Sequence, residues 1–229
     1  MKIAIYTLTR DRLQYTKDCF ASLWENAGMP FDHYVFDNGS EDGTADWLTE
    51  NADRWKWRGW SAINRGISSG SNLCLDAILR QDYSIVIKGD NDAFIRTPNI
   101  LPQICDVMRE AGESWILSPR VEGINKQPKR HQNTTLAGHP VGVTSIVGGL
   151  FHVVPAAVYR RYMEQGGYPE SLPKAWGQDD AIAHWFKTTQ NGNCGYIEDL
   201  VVEHYETTDG QAKRYGSYFE RKWREEKTR

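Results

Sequence analysis

Ser84-Ile85-Val86-Ile87-Lys88-Gly89-Asp90-Asn91-Asp92-Ala93-Phe94-Ile95 runs from a short apolar stretch into two carboxylates one residue apart, and an apolar stretch resumes at once. Carboxylates beside a buried strand are costly unless a cation or a donor-rich ligand meets them. Hard divalent cations take oxygen ligands and bind through one or two carboxylates plus substrate phosphates. Asp90 and Asp92 at the carboxyl end of a strand therefore point to a metal–diphosphate site. Aspartates also punctuate ordinary turns, so the reading depends on the segments around the motif.

Upstream, Lys2–Leu8 has the β-branched, apolar character of a first strand, and Thr9-Arg10-Asp11-Arg12 follows as a polar loop. Leu13 to Asn26 places Cys19, Phe20, Leu23 and Trp24 at helical spacing. A second strand, His33–Phe36, ends in Asp37-Asn38-Gly39-Ser40, and Thr44 to Asn51 reads as a helix with Thr44 as its N-cap. Ser69 to Leu79 is a further helix before the Ser84–Ile87 strand. Strands alternating with helices predict a parallel α/β sheet, in which ligands collect beyond the carboxyl ends of the strands.

The second half is less regular. The pattern predicts helices over Pro98 to Ala111, Pro155 to Gln165 and Ala181 to Gln190, strands over Ser114–Ser118, Cys194–Ile197 and Leu200–His204, and strand material over Val143–Val154 around the Gly148-Gly149 pair. Gly123 to His139 reads as a long polar loop, a length that is usually functional or mobile inside a compact domain. The tail carries Tyr215, Tyr218, Phe219 and Trp223 at helical spacing. Such a stripe packs on its parent domain or, less commonly when basic, lies on a membrane surface.

Bulk properties narrow the class. A chain of 229 residues suits one large domain or a domain with a small appendage, and its pattern changes at about 118 and again at about 205, giving segments 1–118, 119–205 and 206–229. The net charge of −3 gives no global drive toward nucleic acid. Cys19, Cys74, Cys105 and Cys194 lack disulfide-framework or zinc spacing, which favours a reducing cytoplasm. The apolar start is broken by Arg10, Asp11 and Arg12, so no signal peptide is expected, and no segment is long enough to span a bilayer.

Taken in order, three stretches resemble the GT-A glycosyltransferases, in particular their family 2. The first is Val35-Phe36-Asp37-Asn38-Gly39-Ser40-Glu41-Asp42-Gly43-Thr44. The second is Asn64-Arg65-Gly66, Asn72 and the strand leading to Asp90-Asn91-Asp92. The third is Gly148-Gly149-Leu150-Phe151, Gly177-Gln178-Asp179-Asp180 and His204. The likeness runs from the first strand to about His204 and implies a three-layer α/β/α sandwich around a mainly parallel sheet. It also implies a nucleoside diphosphate sugar donor, a uridine nucleotide by default, and Mn²⁺ or Mg²⁺ as cofactor.

The resemblance also implies roles for particular residues. Asp37 would accept from the base or ribose, next to Thr7, Arg10 and the Asn38 turn. Asn64 and Arg65 would close the nucleotide pocket, where the guanidinium can reach the diphosphate. The other reading of that segment is helix capping by Ser68 and Ser69, with Asn72 facing solvent. Asp90 becomes the ribose partner, and Asp92 with His204 the metal ligands. Asp180, the final acid of the Gly-x-Asp-Asp stretch, becomes the base that takes the proton from the acceptor hydroxyl during inverting transfer, supported by Asp179. Gly149 and Trp176 would face the acceptor.

The acceptor itself is not legible: a glycan, a lipid-linked sugar and a modified nucleic-acid base are all open, and the local positive charge of Asn125 to Gln132 either favours a phosphate-bearing acceptor or belongs to a solvated loop. Two rival readings remain. A nucleotidyltransferase normally carries a glycine-rich phosphate loop after its first strand, and Thr9-Arg10-Asp11-Arg12 has no glycine. A non-catalytic sugar-binding relative would have little reason to retain Asp90, Asp92 and Asp180 together.

Overall fold

The computed structural model describes residues 1–124, 127–173, 177–205, 210, 213–217 and 220. Its strands are β1 (Ile3–Thr9), β2 (Asp32–Asn38), β3 (Trp57–Ser61), β4 (Ile85–Gly89), β5 (Ala93–Ile95), β6 (Trp115–Glu122), β7 (Gln132–Leu136), β8 (His139–Thr144), β9 (Phe151–Pro155) and β10 (Asn193–His204). Its helices are α1 (Leu13–Asn26), α2 (Thr44–Glu50), α3 (Gly66–Leu79), α4 (Ile100–Ala111), α5 (Ala156–Glu164) and α6 (Gln178–Gln190).

The strands form one sheet in the order β3-β2-β1-β4-β9-β6-β10-β8-β7, with β5 paired to β10. Strands β1 to β4, β6, β7 and β10 run one way, and β5, β8 and β9 the other. The carboxyl ends of β1, β2, β4 and β10 therefore share one edge, where the sequence had placed its acidic motifs. Helices cover both faces, so β1 and β4 are buried throughout and read as near-continuous apolar runs.

Alternation along β2 shows how the layers are filled. Val35 joins Phe20, Leu48 and Trp55 under α1 and α2, while Tyr34 and Phe36 turn to the opposite face. On that second face, Gly70 of α3 lies so close to Leu8 and Phe36 that an added Cβ would sit 3.2–3.3 Å from them. Here α3, α5 and α6 pack together, with Trp185 against Tyr162 and Gln178 bonded to Ser68. Helix α4 joins α1 on the first face through Leu101 N–H to the Ala27 carbonyl and through Cys105 against Met29. All four cysteines are free thiols in the interior. Among the described residues, no helix is long and apolar enough to cross a membrane.

Several boundaries differ from expectation, each for an identifiable reason. The long polar loop contains β7, because Gln132–Leu136 pairs with β8 at the sheet edge, where a strand has no need of apolar residues. The strand material of Val143–Val154 around Gly148-Gly149 divides into the end of β8, a turn through the glycines, and β9. Leu200–His204 and Cys194–Ile197 belong to a single strand, β10, whose pairing with β6 slips between Ile197 and Val201. Thr44 is the first helical residue rather than the cap: Asp42 Oδ1 accepts from its N–H and hydroxyl at 3.1 and 2.6 Å. The tail reaches α1 through Tyr215, whose ring lies 4.9 Å from that of Tyr15. Tyr218, Phe219 and Trp223 lie outside the described residues.

Candidate active site

The site is built from four strand ends. Near the end of β2, Asp37 is almost fully buried, and its Oδ1 accepts from the Thr9 and Ser40 hydroxyls at 2.9 and 2.5 Å. Oδ2 accepts from the Ser40 N–H at 3.0 Å, so the chain itself orients the carboxylate, with lone pairs left for a ligand. Gly39 follows at φ 80°, and a Cβ there would stand 2.9 Å from the Ile63 carbonyl carbon. Only glycine allows the β3–α3 loop to come this close.

The Asn38 side chain is committed to that loop. Its Oδ1 accepts from Arg65 N–H at 2.8 Å and its Nδ2 donates to the Gly66 carbonyl at 3.2 Å. Asn64 Oδ1 accepts from the Gly66 N–H at 2.9 Å in the turn that leads into α3, and the Arg65 side chain is exposed beside it. Asn72 does not face solvent as one reading had it: its amide bonds both the N–H and the carbonyl of Tyr168, at 3.0 and 2.9 Å.

Thr7 needs correction. The strand continues to Thr9, so Thr7 lies within it, its hydroxyl 3.2 Å from His33 Nε2 on the face toward α1. Thr9 is the threonine at the Asp37 turn. Arg10 lies half-buried just past the strand end.

At the end of β4, Lys88 is buried and donates to Asp90 Oδ1 at 2.6 Å and to the Gly149 carbonyl at 2.8 Å. Gly149 in turn donates its N–H to Asp179 Oδ2 at 2.7 Å. Lys88, Asp90, Gly149 and Asp179 thus tie the start of α6 to the strand that carries the Asp-x-Asp. Burial alone would depress the lysine pKa; Asp90 and Asp179 more than offset this and carry it above the ordinary value. Lys88→Met leaves Asp90 and the Gly149 carbonyl without their donor. Asp90 is 38% exposed, so water recovers part of the loss. The expected destabilisation is about 2–3 kcal/mol, below the cost of breaking a fully buried pair. Urea denaturation checks this, and an unchanged midpoint would remove Lys88 from the framework.

Asp180 follows Asp179 in the first turn of α6, exposed, with no hydrogen-bond or ion-pair partner among the described residues. Trp176 lies outside the described residues.

Asp92 is buried, with His204 Nε2 3.6 Å from its Oδ2. One cation with bonds of about 2.1 Å can span that separation, with phosphate and water oxygens completing its shell. Among the described residues no three His, Cys, Asp or Glu side chains gather around such a point. Asp92 and His204 therefore supply two donors, short of a metal site built by the described residues alone. Sequence reasoning missed Arg12, whose Nη1 reaches the same Asp92 Oδ2 at 2.7 Å and whose Nη2 reaches Asn91 Oδ1 at 2.7 Å. Lys88 was missed as well; a lysine inside a buried strand next to an acidic motif was the available signal.

No protein-family model and no curated protein matches the sequence. Solved structures do. TarS residues 1–349 from S. aureus is 16% identical with a TM-score of 0.67, over 90% of this chain and 60% of that one. The same TarS fragment has also been solved in complex with UDP-GlcNAc. The mannosyltransferase PcManGT from Pyrobaculum calidifontis, in complex with GDP-Man and Mn²⁺, is 14% identical with a TM-score of 0.64, over 93% of this chain and 59% of that one. GalNAc-T7 with UDP, GalNAc and Mn²⁺ is 9% identical with a TM-score of 0.68, over 91% of this chain and 44% of that one. The chain thus spans about three fifths or less of these proteins' solved lengths. At such identities the likeness carries the architecture: this chain has the GT-A fold.

Proposed function

We propose that the protein is a glycosyltransferase that moves a sugar from a nucleoside diphosphate sugar, with a uridine nucleotide as the first candidate, to an acceptor hydroxyl with inversion. One observation carries this reading. Asp37, Asp90, Asp92 and Asp179, scattered along the chain, lie at one edge of a GT-A sheet, and Lys88 and Gly149 link Asp90 to Asp179. The donor complexes of TarS and PcManGT support the same class of ligand.

In this reading Asp37 and Asp90 orient the base and ribose, and Arg65 is within the loop that faces the diphosphate. Asp180 takes the proton from the acceptor hydroxyl, whose oxygen attacks the anomeric carbon as the bond to the departing nucleoside diphosphate breaks. Asp92 and His204 would hold Mn²⁺ or Mg²⁺, which supplies positive charge to the diphosphate when bound. The Mn²⁺ in the PcManGT and GalNAc-T7 structures supports a metal in this role. Asp179 holds the Gly149 turn beside the position an acceptor would take.

The test separates enzyme from binding module. Donor hydrolysis is expected with Mn²⁺, lost on Asp92→Ala, and nucleoside diphosphate binding should weaken when a chelator removes the metal. Equal calorimetric affinity with and without metal would count against the roles of Asp92 and His204.

A further inference from the structure

We propose that Arg12 is a built-in counter-cation that a divalent ion must displace from Asp92. The ligand-free protein would then hold metal weakly, and metal and diphosphate would enter together. This rests on the reading of Asp92 and His204 as metal ligands, and the experiment below separates the two.

Three observations carry it. Arg12 is only 8% exposed and spends its fork on the motif itself, one arm on Asp92 Oδ2 and the other on Asn91 Oδ1. The Asp92 oxygen it occupies is the one that faces His204. A guanidinium and a divalent ion on one carboxylate oxygen repel each other strongly where water is scarce. The backbone also aims the side chain: Asp11 and Arg12 are consecutive non-glycine residues at φ 50° and 60°, a conformation that persists only when the surroundings impose it. Those surroundings are Asp11 N–H to Ser40 Oγ at 2.8 Å, Glu41 N–H to Asp11 Oδ1 at 2.7 Å, and Leu13 N–H to Asp42 Oδ2 at 2.8 Å. Strain at this point serves to put a positive charge against Asp92.

A diphosphate offers the guanidinium an exchange of partners. Phosphate oxygens match its planar fork as well as Asp92 and Asn91 do. When the fork moves to phosphate, Asp92 is free to take the metal. By linkage, metal must tighten diphosphate binding by the same factor.

The experiment titrates Mn²⁺ alone, followed by the electron paramagnetic resonance of the free ion, into wild type, Arg12→Gln and Arg12→Lys at neutral pH, without and with UDP or GDP. Without nucleotide, Arg12→Gln is expected to bind Mn²⁺ at least about tenfold tighter than wild type, the factor for one lost charge-assisted hydrogen bond. Arg12→Lys keeps the charge and should stay close to wild type. Nucleotide should tighten Mn²⁺ binding more in wild type than in Arg12→Gln. Should Arg12→Gln fail to fold, the wild type still decides, because Mn²⁺ held as tightly without nucleotide as with it overturns the proposal. Equal or weaker Mn²⁺ binding by folded Arg12→Gln overturns the competition while leaving the metal site standing. Mn²⁺ that binds Asp92→Ala as well as wild type, or binds no form, overturns the metal assignment and the competition with it.

Discussion

Asp180→Asn is expected to slow sugar transfer by about 10²- to 10⁴-fold, the range for loss of a general base, while donor affinity stays unchanged. The substitution conserves shape and removes only the ability to take a proton. Its neighbour is poorly placed to substitute, because Asp179 already accepts the Gly149 N–H. Asp180 is exposed in the first turn of α6, within one residue of a carboxylate tied to the Asp90 strand end. Single-turnover transfer and calorimetry of donor binding together check the prediction. Wild-type turnover by Asp180→Asn would place the base elsewhere, whereas loss of donor binding would make the residue part of the donor pocket.

Mild acid is expected to weaken the fold well before the carboxylates titrate. His33 lies buried among Phe20, Phe31 and Trp55, and burial pushes its pKa down to about 3. His152, wholly buried on β9 opposite Lys88, is pushed down to about 4 by the same desolvation. The unfolded chain protonates both imidazoles near their ordinary value of about 6.5, and the folded chain refuses those protons until far lower pH. Stability therefore falls as pH drops below about 6.5, by about 1.4 kcal/mol per unit for each histidine, or about 4 kcal/mol for the pair by about pH 5. Urea unfolding across this range measures it. A flat profile would mean that both rings take up a proton in the folded state, and half the slope that one does.

Local chemistry made much of the architecture legible in advance. The apolar runs of β1 and β4, the helical spacing of α1 and the turn after β2 each depend on residues close in sequence, and each lies where expected. Of the strands that escaped notice, β5 and most of β8 pair with β10 inside the sheet, and two others are at its ends. Trp57–Ser61 pairs only with β2, and Gln132–Leu136 only with β8, so neither shows the burial pattern by which strands are recognised. Their place comes from backbone pairing, which composition does not record.

The same division applies to the site. Asp37, Asp90 and Asp92 could be named because an acidic residue at the end of an apolar run is conspicuous over a few positions, and Asp179 and Asp180 because Gly177-Gln178-Asp179-Asp180 resembles a family motif. That Arg12 meets Asp92 across 80 positions, that Lys88 turns inward to Gly149 across 61, and that Thr9 rather than Thr7 reaches Asp37 depended on strand order and register. A sequence states which groups are charged and how often apolar residues recur. Which charge comes to rest against which is decided only when β1 inserts between β2 and β4, because at hydrogen-bonding range a shift of one residue turns a side chain to the opposite face of the sheet.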